Sequence, residues 1–256
     1  MNIVIIGTGN TATILGRKLK AAGHGILQVY GRDAAAASAL AYELDTESTN
    51  YWSVVRRDAD LYLLAVSDVA VDEVKQELQF ADGTVVHTAA AVPLDGLRGS
   101  ADHYGVFYPL QSLQKNSIRL PETPIIIDAS DQATLHQLER LAHSISDRVV
   151  TASDADRLRL HLAAVFCNNF TNHLYALMED WCAREGLDFT LLRPLILETA
   201  ERVQTLSPRE SQTGPALRND TVTLERHLAL LEEHPLLKEL YVLMTRSIQA
   251  GLKPLY

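Results

Sequence analysis

Short apolar runs and amphipathic segments alternate along the first 152 residues. The runs Asn2–Ile6, Ile26–Tyr30, Leu61–Val66, Thr84–His87, Gly105–Tyr108, Pro124–Asp128 and Arg148–Thr151 are nearly continuous in apolar residues, the pattern of strands covered on both faces. Helical periodicity fills the intervals at Thr11–Ala22, Asp33–Leu44, Val69–Leu78 and Asp131–Ser144, and a weaker strand signal lies near Thr46–Asn50. Strand and helix in alternation predict a doubly wound parallel sheet, the Rossmann class. From Ser153 onward the strand signal stops. The chain reads as helices over 153–184, 188–205, 221–233 and 236–250, with Ser153 and Asp188 as N-caps and Ser207-Pro208-Arg209-Glu210 as a capping box with proline in the first turn. The pattern thus predicts an α/β Rossmann domain over 1–152 followed by an all-α domain over 153–256.

Within the helical half, Leu158–Phe166 is apolar on nearly every side. It predicts a helix buried all round, at the centre of its domain or beneath a second subunit. The last helix carries Leu237, Leu240, Tyr241, Met244 and Ile248 on one face. About 100 residues cannot bury so many stripes alone, which predicts a homodimer through residues 153–256.

Composition narrows the function. A net charge of −9 speaks against a general nucleic-acid or anionic-membrane binder, and every apolar run is too short to span a bilayer. Cys167 and Cys182, 15 residues apart on one predicted helix, would stand about 22 Å from each other and cannot bridge. Two free thiols, no zinc-type Cys/His spacing and a strand starting at Asn2 lead to the expectation of a cytoplasmic protein without a metal site.

The most specific local chemistry follows the first strand. Gly7-Thr8-Gly9-Asn10-Thr11-Ala12 is a G-x-G-x-x-A loop between a strand and an amphipathic helix, the context in which this string cradles a dinucleotide pyrophosphate. Gly7 allows the tight turn, Gly9 lets backbone approach the phosphates, Ala12 permits close helix packing, and the helix N-terminus attracts the anion. Arg32 lies 20 residues past Ala12, where an NAD enzyme places an acid for the ribose 2′-hydroxyl. Gly31 and Arg32 suit a 2′-phosphate, so the expected cofactor is NADP; the alternative makes Arg32 a solvated charge and Asp33 a helix cap. Ser67 and Thr88 follow later strands on the ligand-binding rim and join the cofactor candidates, although each also suits a loop or cap.

Hydride transfer needs a proton donor or polariser beside the substrate. His161 and Asn168 lie seven residues apart on one helical face, with Asn172 a turn further on. They serve either as an internal hydrogen-bond network or as a substrate site. Arg218, in the Gly/Pro-marked loop Thr213–Asp220, is the natural anion anchor, unless it only pairs with Asp220 as a brace. The patch Tyr108-Pro109-Leu110-Gln111-Ser112 ends a strand where it would meet the cofactor or the second domain.

These segments resemble a bacterial family of Rossmann-like proteins with a C-terminal domain of unknown function, described as NADP oxidoreductases of the deazaflavin-dependent type. The resemblance rests on Gly7–Ala12, Gly105–Ser112, His161–Phe170, and Thr213–Asp220 with His227-Leu228, and covers nearly the whole chain. Many members carry His where this chain has Tyr108. More distantly the layout is similar to pyrroline-5-carboxylate reductases and 3-hydroxyacid dehydrogenases, which bind substrate between a Rossmann and a helical, often dimer-forming, domain. No lysine occurs between Lys115 and Lys238, so the lysine chemistry of the hydroxyacid dehydrogenases has no counterpart. The expectation is an NADP-dependent oxidoreductase for a small carbonyl or imine substrate, or a deazaflavin. His161 would be the proton donor, Asn168 an orienting amide and Arg218 the anchor. The rival expectation is a non-catalytic NADP-binding sensor or scaffold.

Overall fold

In β1 (Asn2–Ile6) side chains leave alternately for the two faces of the sheet, and both faces are covered. Ile3 and Ile5 join Leu15, Leu19, Leu40, Leu44, Leu138 and Leu141 on one side, while Val4 and Ile6 join Tyr62, Leu64, Val74 and Val85 on the other. A computed structural model describes residues 1–79, 82–117 and 120–251 of the chain. It divides into two compact units, Met1–Phe170 and Thr171–Tyr256, taken separately below.

In the first unit, α1 (Asn10–Ala21), β2 (Gly25–Tyr30), α2 (Ala34–Leu44), β3 (Glu47–Thr49), β4 (Leu61–Leu64), α3 (Val71–Glu77), β5 (Thr84–His87) and β6 (Tyr104–Pro109) follow β1. Next come β7 (Ile125–Ala129), α4 (Gln132–His143), β8 (Val149–Thr151), α5 (Asp154–Ala164) and a π-helical turn, Val165–Phe170. The eight strands lie in the order β3-β2-β1-β4-β5-β6-β7-β8.

The sheet is not parallel throughout. β1 to β6 are parallel, but β7 runs antiparallel to β6, pairing Gly105 with Ala129 and Pro109 with Ile125, and β8 is parallel to β7. A parallel return would need a crossover, usually a helix. Among the described residues of 110–124 there is no helix, and Pro121 and Pro124 interrupt the segment. The chain therefore turns back beside β6. The weakly signalled strand near Thr46–Asn50 is β3, three residues long at the sheet edge.

Aspartates and a serine begin the helices as their positions predict. Asp33 accepts from the Ala35 and Ala36 N–H groups, Asp131 from Thr134, and Ser153 Oγ from Asp156. The second unit contains α6 (Thr171–Arg184), α7 (Arg193–Arg202), α8 (Thr221–Leu230) and α9 (Pro235–Gln249). Asp188 caps the short 3-10 turn Phe189–Leu192 ahead of α7. At Ser207–Glu210 the Ser207 Oγ accepts from the Glu210 N–H, as in a capping box, but donates its own proton to the Glu210 carboxylate, and only one turn follows. Gln212-Thr213-Gly214-Pro215 ends it.

The expected all-round burial of Leu158–Phe166 does not hold within one chain. Leu158, Leu162 and Phe166 are 50%, 58% and 60% exposed, because α5 and the π turn rest on the sheet unit along only part of their circumference. No helix among the described residues is long and apolar enough to cross a membrane.

Inside the sheet unit, His87 at the end of β5 has no accessible surface, and its Nδ1 accepts from the Ala89 N–H at 3.2 Å. Burial first, and the Arg157 charge second, push its pKa down to about 4. A histidine neutral in the fold but titrating near 6.5 when unfolded costs nothing above pH 6.5. The unfolded chain then gains its proton first, so stability falls as pH drops from 6.5 to 4. The loss amounts to about 3 kcal/mol. Urea unfolding at pH 7 and 4.5 is expected to show this decrement in the wild type and a much smaller one in His87→Gln. Equal pH dependence in both would exclude it.

Candidate dinucleotide and active site

The tight turn after β1 depends on Gly7, whose φ is +127°. A Cβ there would stand 2.2 Å from the Ala65 carbonyl oxygen, so only glycine fits between β1 and β4. Gly9 differs: a Cβ would meet nothing within 4 Å, so its backbone faces open space. Gly9 precedes α1 with no side chain capping the helix, which leaves first-turn N–H groups for an anion. Ala12 is fully buried beneath them, and Thr13 Oγ1 donates to the Gly9 carbonyl at 3.0 Å.

Gly7, Thr8, Gly9, Gly31, Arg32 and Ser67 line one cavity of about 360 Å³. Thus six of the ten cofactor candidates are brought together. Asn10 and Thr11 lie in the first turn of α1, where the Asn10 side-chain oxygen Oδ1 accepts from the Lys115 N–H at 3.1 Å. Thr88 stands apart: it is buried, and its hydroxyl donates to the Leu64 carbonyl at 3.1 Å, which ties it into the sheet. The room left by Gly31 is taken by the Thr8 methyl, which a Cβ would meet at 2.5 Å. Arg32 is exposed and, among the described residues, makes no hydrogen bond or ion pair, whereas Asp33 is engaged as the α2 cap. The same cavity holds Trp52, stacked on Tyr30 with ring centroids 3.7 Å apart. Trp52 escaped sequence reasoning, since a lone aromatic after a short edge strand has no periodic signature.

A second cavity of about 390 Å³, also within the first unit, is lined by Tyr108, Gln111, Ser112, His161, Cys167 and Asn168 among others. His161 and Asn168 therefore do share a site, Asn168 from within the π turn that follows α5. Such turns frequently mark functional positions. Here Asn168 is exposed rather than buried in a network. The Tyr108 hydroxyl lies 3.0 Å from His161 Nδ1, with the rings edge to face. Burial pushes the Tyr108 pKa up, which keeps the phenol protonated. The Tyr108 hydroxyl and His161 Nδ1 thus share one hydrogen bond, and Nε2 is the ring nitrogen that the tyrosine does not engage. Tyr108 was legible as a strand-end residue; its partner on α5 was not.

Arg218, in the second unit, is exposed in the loop before α8. No ion pair joins it to Asp220 among the described residues. The Asp220 carboxylate caps α8, held well below the usual range by the Thr223 hydroxyl and N–H, with a smaller contribution from the Arg218 charge.

A mostly parallel sheet, a glycine-lined cavity at its carboxyl rim and a polar pocket beside it define an NAD(P)-binding Rossmann oxidoreductase. Residues 2–91 match the family described as NADP oxidoreductase, coenzyme F420-dependent, and residues 123–248 match a domain of unknown function, DUF2520. The chain belongs to the family that joins these two parts. It is 39% identical to a protein of Bacteroides fragilis described as a putative NADP oxidoreductase, over 97% of this chain and 98% of that one, with a TM-score of 0.90. A Thermotoga maritima protein is 21% identical over 97% of this chain and all of its own, with a TM-score of 0.79. A pyrroline-5-carboxylate reductase from Streptococcus pyogenes shares the fold at 15% identity, over 98% of each chain, with a TM-score of 0.66. The search of curated proteins gives no match. The DUF2520 match begins before β7, inside the sheet.

Proposed function

We propose that this oxidoreductase uses NADP and acts on a small, anionic carbonyl or imine compound. The observation that carries the cofactor choice is Arg32, an unpaired guanidinium on the cavity that also contains the phosphate loop, with the neighbouring acid already committed to α2. Gly7, Thr8 and Gly9 would hold the pyrophosphate, Arg32 the 2′-phosphate, and Ser67 the intervening ribose. The open space over Gly9 supports the fit. When bound, the nucleotide supplies or accepts the hydride. The chain's own part is proton delivery. In the reductive direction protonated His161 gives its Nε2 proton to the oxygen or nitrogen that becomes an alcohol or amine and is left as the neutral imidazole, Tyr108 holds the ring by Nδ1, and Asn168 orients the substrate. Arg218 serves as carboxylate anchor on its chemistry alone.

Titration with both nucleotides tests the cofactor. NADPH is expected to bind at least several-fold more tightly than NADH, and Arg32→Asp to erase or reverse the difference. Equal wild-type affinities would remove the case for NADP. Oxidation of NADPH, screened against keto acids, imines and deazaflavins, tests the substrate class.

The apolar side chains left exposed on α5, α7 and α9, among them Leu162, Leu195, Leu197 and Leu243, support a homodimer formed mainly through residues 153–256. Light scattering at micromolar concentration is expected to give twice the chain mass; a monomer would refute it. The free thiols Cys167 and Cys182 suit the reducing cytoplasm.

A further inference from the structure

We propose that Arg157 is a positioning residue that locks the loop after β5 onto α5 and so holds the Tyr108–His161 pair in register. The proposal rests on the functional reading above, which gives that pair its task.

Arg157 is 1% exposed, a guanidinium taken out of water at a cost of several kcal/mol. Its contacts are specific. Nε donates to the Ala90 carbonyl at 3.1 Å, and Nη2 donates to the Val92 carbonyl and, at 2.8 Å, to Asp154 Oδ1. The same Asp154 oxygen accepts from the Leu94 N–H at 2.9 Å. One planar fork and its carboxylate therefore fix three residues of the loop that leaves the ligand-binding end of β5. A buried brace needing only shape would be better served by an apolar side chain, because a lone buried ion pair is weak support for stability. Nη1 is buried with no hydrogen-bond partner among the described residues, a further cost that a purely stabilising contact would avoid.

The geometry closes into a ring. Ala90, gripped through its carbonyl, packs in one cluster with Val106, Tyr108 and Ile126. Tyr108 is hydrogen-bonded to His161, and His161 stands one helical turn beyond Arg157 on the same face of α5. Loop, strand β6 and helix α5 are thus joined at two points, Arg157 on one side and the tyrosine–histidine bond on the other. Sliding α5 along the sheet would break both. Lysine cannot substitute, since one ammonium on a flexible stem does not span Ala90, Val92 and Asp154 together.

The test uses the full chain labelled with 15N-histidine, and follows both the His161 ring nitrogens and binding of two nucleotides, NADPH and adenosine 2′,5′-bisphosphate. Wild-type His161 is expected to show one dominant neutral tautomer. In Arg157→Lys and Arg157→Met the two ring nitrogens should converge toward mixed tautomers. NADPH affinity should fall about tenfold, while the bisphosphate, which lacks the nicotinamide half, binds as before. Asp154→Ala removes the same clamp from its half-exposed end and should give the same changes to a smaller degree; it decides the matter if the Arg157 variants do not fold. Folded variants that keep the wild-type His161 signals would overturn the proposal. So would equal weakening of both nucleotides, which marks a merely structural role. A wild type that binds neither nucleotide would instead count against the functional reading, and the histidine signals would still judge the clamp.

Discussion

His161→Ala is expected to lower kcat by about two to four orders of magnitude, the usual worth of a positioned general acid, while NADPH binding stays within about twofold. The ring has one nitrogen committed to Tyr108, which leaves the other to meet substrate. Removing it deletes the proton source without touching the nucleotide cavity, whose lining does not include His161. Tyr108→Phe should act more gently, by about tenfold, because the imidazole remains but is free to rotate or change tautomer. Its signature is a shifted pH–rate profile. Steady-state kinetics with any substrate returned by the NADPH screen would measure both. Activity within threefold of wild type in His161→Ala would end the assignment of this residue.

Gly7→Ala is expected to be the most damaging single methyl group in the chain. The new Cβ would lie 2.2 Å from the Ala65 oxygen and 2.8 Å from its carbon, both backbone atoms at the end of a central strand, and φ at +127° is itself hostile to an L side chain. Relief requires β1 and β4 to part, at a cost above about 4 kcal/mol. The protein should be insoluble or unfold at much lower urea. Gly9→Ala offers the contrast. With nothing within 4 Å and φ at −81°, it should fold normally and lose NADPH affinity by about tenfold or more, as its methyl occupies space meant for phosphate. Wild-type stability in Gly7→Ala would contradict the structure of the turn.

The contrast between these glycines shows what a sequence conveys. Ile3–Ile6 and Leu61–Leu64 announce strands because both faces of each are covered, and the glycine loop is recognisable because it sits between such a strand and a helix. Strand direction leaves no comparable trace. The reversal at β7 goes with a segment, 110–124, whose described residues form no crossover helix, and periodicity alone does not distinguish such a helix from a long loop. The cofactor cavity was legible as far as local motifs reach. Trp52 joins it only through tertiary packing on Tyr30, and Thr88 leaves it because the Leu64 carbonyl claims its hydroxyl. His161 and Asn168 were readable as polar residues on an apolar helix, but helical spacing could not announce the π turn that carries Asn168 or the tyrosine opposite His161.

The stack of Trp52 on Tyr30 also gives the molecule an optical gauge. Of the two tryptophans in the chain, Trp52 forms a wall of the cavity lined by the glycine loop, and Trp181 belongs to the second unit, beside Leu177, Arg184 and His234. Anything that enters the first cavity must lie against, or displace, an indole already in van der Waals contact with a phenol. Its emission therefore responds to occupancy, and Trp52→Phe leaves Trp181 as an internal reference, so cofactor loading can be read from intrinsic fluorescence without an attached dye.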